Sequence, residues 1–204
     1  MAHAVIEKNA ADGGTRKFIL VQLPEETTGQ FTNLCEVGEE RIRRAGTNLK
    51  SELERNQQLE LGEQSKAVPD IGFRVLRIDS SNFRETYVEP GAQPQDTLFN
   101  FVDNLKEDRT PEDLLFQTLP AFRIPYSAHI EEFDIDGTRC FNVNGGQLIA
   151  CFDTEVGTNV IEKIAQQMPI YAVFRDASLA DDSAAANFEE LFKTYSPDTI
   201  RRVI

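Results

Sequence analysis

Apolar positions recur along this chain in two rhythms, one helical and one strand-like. Met1 to Ala11, MAHAVIEKNAA, reads as a helix. Asp12-Gly13-Gly14 breaks it, and Lys17 to Leu23, KFILVQL, follows as an apolar strand-like run. Leu34, Val37, Ile42, Ala45, Leu49 and Leu53 then return at helical spacing. Thr32 or Asn33 caps that helix, and Glu36 is placed to close a capping box with Asn33. Its far end, Glu52 to Gln64, is polar. Pro69-Asp70 breaks the chain, and Ile71 to Ile78, IGFRVLRI, reads as a largely buried strand. Residues 1 to 79 thus predict helix, strand, helix, strand, a Rossmann-like order with right-handed crossovers.

The next stretch changes character. Pro90-Gly91 and Pro94 mark a loop, and Asp96 to Leu105 and Pro111 to Leu119 predict two short helices. The second has a clear start, with Thr110 as cap, Pro111 in the first turn, and Glu112 and Asp113 after it. Pro120 and Pro125 end it, so this stretch reads as a helical linker. From 128 the strand rhythm returns. Ile130 to Ile135, Asp136-Gly137, and Arg139 to Val143 spell a hairpin. Asn144-Gly145-Gly146 turns the chain into Gln147 to Phe152. A helix face (Val160, Ile161, Ile164, Ala165), a strand (Ile170 to Phe174), a helix capped by Asp182, and a last strand (Thr199 to Ile204) complete β-β-β-α-β-α-β.

A helix followed by a strand is the second half of a βαβ unit. The strand before it, and the phosphate-binding turn such units carry, do not appear in the sequence. The expectation is a piece of a larger enzyme, beginning just downstream of a cofactor loop. The 204 residues suffice for one large or two small cores. The formal charge of −13 argues against a nucleic-acid grip, which needs clustered Lys and Arg. No apolar run reaches membrane length. Cys35, Cys140 and Cys151 show no CxxC spacing and read as core thiols of a reducing cytoplasm.

Four apolar runs end in or beside a polar group: Gln22, Asp79, Asp153 and Asp176. Ligands of open α/β sheets bind outside the carboxyl ends of strands. Asp153 and Asp176 also suit turns or helix caps. Asp79-Ser80-Ser81-Asn82 is more than one cap requires, and an amide at Gln22 needs partners, of which a ribose is one. His3 and His129 stand at no metal-ligand spacing, and GxSxG, P-loop and GxGxxG motifs are absent from the sequence.

Four segments in order, AHAVIEKNAADGGTRKFILVQLPE, GEERIRRAG, GFRVLRIDSSNF and AVFRDASLADDSAAANFEELFKTYSPDTIRRVI, resemble the carboxyl-terminal part of the modification subunit of type III restriction-modification systems. These are β-class adenine-specific DNA methyltransferases that use S-adenosylmethionine. The resemblance covers essentially the whole chain and is weakest around 54 to 66. It implies an α/β fold: a partial Rossmann-like methyltransferase sheet over 1–89, a helical linker over 90–127 and a small α/β domain over 128–204. In that family an FxGxG cofactor loop directly precedes the AHAV helix, and DPPY and the DNA-recognition region lie further upstream. None of them occurs here. The resemblance places Gln22 where many methyltransferases hold the ribose hydroxyls with an acid, and Asp79 near the cofactor adenine.

The resemblance therefore implies a cytoplasmic chain whose parent methylates DNA but which is inert alone, with no catalytic residue and no metal ligand of its own. The implied partners are a second modification subunit and the restriction subunit, with DNA bound through the upstream regions and self-association through an open sheet edge. A non-enzymatic docking module is the alternative. A third reading is an unrelated enzyme using Asp79, Asp153 and Asp176 with magnesium.

Overall fold

In the computed structural model the described residues are 1–59, 68–84, 105–154, 156–179 and 182–204. Most of the expected helix from Asp96, the loop around Pro90 and Pro94, and the stretch beyond Leu59 to Gln64 lie outside them. The chain divides into two units, Met1–Ile78 and Asp79–Ile204.

The first unit is built on two packed helices, α1 (Ala2–Asp12) and α2 (Leu34–Leu59). Gly13 ends α1 in the left-handed conformation, at φ 69°. Asn9 is buried on α1 and ties down the chain that follows: its amide donates to the Arg16 carbonyl at 2.9 Å and accepts the Arg16 N–H at 3.1 Å. The expected cap of α2 forms, one residue wider than a simple box. Asn33 Oδ1 accepts the Glu36 N–H at 3.1 Å, while the Glu36 carboxylate reaches the Thr32 N–H at 2.8 Å. Gly46 of α2 is where Ile71 approaches; a Cβ there would stand 3.1 Å from Ile71 Cβ.

Neither Lys17–Leu23 nor Ile71–Ile78 forms a strand, which corrects the expected helix-strand-helix-strand order. The only bridge in this unit among the described residues joins Glu26 and Asn33. The physical reason is pairing. A strand persists only when a neighbouring backbone takes up its N–H and C=O groups. Without a ladder the two apolar runs have no sheet face to build, and Ile19, Val21 and Ile78 are 91%, 86% and 96% exposed.

The second unit carries the sheet, in order β1 (Ile130–Ile135), β2 (Thr138–Val143), β3 (Leu148–Cys151), β4 (Tyr171–Phe174) and β5 (Ile200–Val203). The first three strands run as an antiparallel meander; β3, β4 and β5 are parallel. The parallel connections are α4 (Thr158–Gln166) and α5 (Asp182–Tyr195), as the β-β-β-α-β-α-β pattern requires. One core lies beneath these helices, where Ile149, Ile161, Ile164, Phe174, Phe188 and Phe192 meet. The other lies beneath α3 (Pro111–Thr118) and the 3-10 turn Leu119–Phe122, where Leu114, Leu115 and Leu119 pack with Phe141, Val143 and Leu148. With both faces covered, β3 is buried at every position, which explains its unbroken apolar sequence.

The Thr110 cap and its reciprocal box with Asp113 start α3 as expected. The described part of the segment read as a linker, 105–127, is however a working layer of this unit. Its apolar side chains close one face of the sheet.

Candidate functional site

Asp79 sits where the second unit begins, on a run that folds back along residues 105–113. Phe83 and Leu105 form a bridge, and the Lys106 N–H donates to the Asn82 carbonyl at 3.0 Å. The Asn82 side chain donates to the Asp113 carbonyl of α3 at 3.0 Å. These bonds account for the polar run Asp79-Ser80-Ser81-Asn82: much of it is spent on anchoring the chain to α3.

Four charged side chains and a hydroxyl meet at the head of this run. The Arg109 guanidinium lies 3.1 Å from the Asp79 carboxylate and 3.0 Å from Asp108. Lys106 Nζ donates to Ser80 Oγ at 2.7 Å, and Arg109 adds a longer contact of 3.4 Å. Asp79 also accepts the Ser80 N–H at 2.6 Å. That backbone bond, and then the charge of Arg109, hold the Asp79 carboxyl below its ordinary pKa of 3.8. The Arg109 side chain is only 11% exposed, whereas Asp79 is 54% exposed. Chemically this is an ionised carboxylate with one open side, steadied by a cation. It can accept hydrogen bonds from a ligand amine or hydroxyl.

Gln22 belongs to the other unit and is exposed. Its amide donates to the neighbouring Leu23 carbonyl at 3.0 Å, and its own carbonyl accepts the Cys35 thiol at 3.4 Å. The first unit also contains a groove of about 360 Å³ lined by His3, Phe31, Val37, Arg41, Ala45 and Asn48 among others. Neither Gln22 nor Asp79 lines it.

The other two strand-end acids stand at structural joints. Asp153 Oδ2 accepts the Arg139 N–H at 2.8 Å, and the Asp153 carbonyl accepts Ser178 Oγ at 2.6 Å. Asp176 opens a 3-10 turn and donates its N–H to the Ile204 carbonyl at 2.8 Å. Among the described residues no group of three or more His, Cys, Asp or Glu is placed to hold a metal ion.

Lys106 and Arg109 did not stand out in the sequence. They lie 27 and 30 positions beyond Asp79, and only the fold-back brings them together. No protein-family model matches the chain, and no curated protein matches it. Among the described residues no helix is long and apolar enough to cross a membrane.

Proposed function

We propose that the chain is the carboxyl-terminal part of a type III modification subunit and serves assembly rather than methyl transfer. The observation that carries this reading is the exposure of two strand-type sequences in the first unit. Ile19, Val21 and Leu23 are 91%, 86% and 68% exposed, and Val75, Leu76 and Ile78 are 57%, 50% and 96% exposed. Apolar side chains this exposed support a contact surface. In this reading the two runs become strands when a methyltransferase sheet supplies neighbours for them, and the Rossmann-like order is completed between chain segments.

The parent activity is adenine methylation with S-adenosylmethionine. Such transfer needs the donor held in line with an extruded base. Neither FxGxG nor DPPY occurs in the sequence. By the resemblance, Gln22 is the candidate for the ribose contact and Asp79, in the other unit, the candidate for the adenine contact. The partners are a second modification subunit and the restriction subunit. The alternative is a non-enzymatic docking module whose α/β end domain, over 128–204, contacts a second modification subunit or the restriction subunit.

The test has two arms. The chain alone is incubated with tritiated S-adenosylmethionine and unmethylated DNA; no label above the blank is expected. It is then mixed with a modification-subunit segment bearing FxGxG and DPPY. Stable co-elution is expected, with amide protection appearing along 17–23 and 71–78. Label incorporated by the chain alone, or failure to associate, overturns the proposal.

A further inference from the structure

Cys140 and Cys151 stand directly opposite each other on β2 and β3, and both are 0% exposed. The kind of pair they form follows from the ladder. In a two-residue hairpin the residues flanking the turn exchange both backbone bonds, and pairs alternate outward from there. Ile135 and Thr138 flank the Asp136-Gly137 turn, so Thr138, Cys140 and Asn142 direct their backbone groups toward β1. Arg139 directs its N–H the other way, to the Asp153 carboxylate just past β3. With respect to β3, Cys140 and Cys151 are therefore a non-hydrogen-bonded pair. In such pairs the Cα atoms stand about 4.5 Å apart and the side chains are at their closest. Disulfides span Cα separations of about 4.4–6.8 Å.

Both thiols point to the face under α4 and α5. Cys140 donates its S–H to the Thr138 carbonyl at 3.8 Å. The closeness of the Cys140 thiol lowers the Cys151 pKa from its ordinary value. The closeness of the Cys151 sulfur, and then burial, push the Cys140 thiol up. Cys35 lies in the other unit.

We propose that Cys140 and Cys151 are an oxidisable dithiol that closes to a cross-strand disulfide, with a small peroxide as the oxidant. The Cys151 thiolate attacks one peroxide oxygen. The S–O bond forms as the O–O bond breaks, and the departing hydroxide takes a proton to become water. Cys140, giving up its proton, then attacks the Cys151 sulfur of this sulfenic acid. The S–S bond forms, the S–O bond breaks, and a second water leaves. Two thiols lose two electrons and the peroxide gains them. Hydrogen peroxide is small enough to reach buried sulfur through local opening, and the strands are already at the spacing the product needs.

The test uses the full chain without variants as its first arm. The folded protein is treated with excess hydrogen peroxide, blocked with maleimide in denaturant and digested with trypsin. Cleavage after Arg139 and Lys163 leaves both cysteines in one peptide, Cys140–Lys163. That peptide is expected two hydrogens lighter and free of maleimide, and to take up two maleimides when dithiothreitol precedes the block. Cys35→Ser should give the same result, and Cys140→Ser should abolish the mass loss. A peroxide-treated peptide that carries two maleimides, or only sulfinic and sulfonic oxygens, overturns the proposal.

Discussion

The Asp136 carboxylate holds the Lys163 ammonium at 2.7 and 2.8 Å, fastening the β1–β2 turn to α4. Asn159, one turn earlier on α4, adds a bond of 2.6 Å. The hydrogen bond from Lys163 is the largest cause holding the Asp136 carboxyl below its ordinary 3.8. A group with a lowered folded-state pKa stabilises above its unfolded value, and that stability is lost as pH falls through the lowered one. The window therefore lies at and below pH 3.8. The thermal midpoint of the native chain should drop more steeply than that of Asp136→Asn when pH falls from about 5 to about 3. Circular-dichroism melts across that range check this; parallel curves would show that the tie is idle.

The same turn depends on its backbone. Asp136 and Gly137 both have positive φ, 53° and 86°, the two left-handed positions of a tight hairpin. Aspartate tolerates this and glycine adopts it freely. Gly137→Val should destabilise the second unit by about 1–2 kcal/mol, since a branched Cβ meets the following carbonyl there. A urea titration should show a lower midpoint at unchanged slope.

Phe192 is 0% exposed, with its ring centroid 5.0 Å from that of Phe188 and 6.3 Å from that of Phe174. It joins α5 to β4 at the centre of one core. Phe192→Ala should cost about 3–5 kcal/mol. That is a large part of the roughly 5–15 kcal/mol available to a whole domain, so the variant should unfold at far lower urea. Thr110→Ala, which removes only the cap of α3, should cost about 1 kcal/mol. A Phe192 variant no weaker than the Thr110 one would mean that this core is not where stability resides.

The second unit was legible because its signals are local. Asp136-Gly137 between alternating runs, and Thr110-Pro111 ahead of two acids, each act within a few residues, and both elements form as read. Runs such as those around Leu20 and Val75 become strands only beside pairing neighbours, and the described residues of their unit offer none. An apolar run shows what a segment can pair with and leaves open whether the partner is there. At Asp79 the sequence shows the acid but not the cation beside it, because Arg109 arrives only through the fold-back. The α3 segment reads as a linker because its prolines punctuate it. Leu114, Leu115 and Leu119 carried the opposing signal, a face with nothing else to cover.

The exposed runs of the first unit give the last expectation. Ile19 and Val21 are 91% and 86% exposed. Replacing both with glutamate removes apolar surface while disturbing almost no internal packing, and such surface changes usually alter stability by about 0.5 kcal/mol or less. If this surface is built to be covered, the native chain should self-associate at tens of micromolar through it. The backbone from 18 to 21 joins no ladder and can pair with a second copy. Carboxylates there would oppose that pairing in a chain already at −13. Sedimentation velocity should thus show a dimer or larger species for the native chain and a monomer for Ile19→Glu/Val21→Glu, with the same far-ultraviolet spectrum. A native chain that stays monomeric, with slow amide exchange along 17–23, would mean that the chain covers this surface itself in solution. The docking reading would then fail.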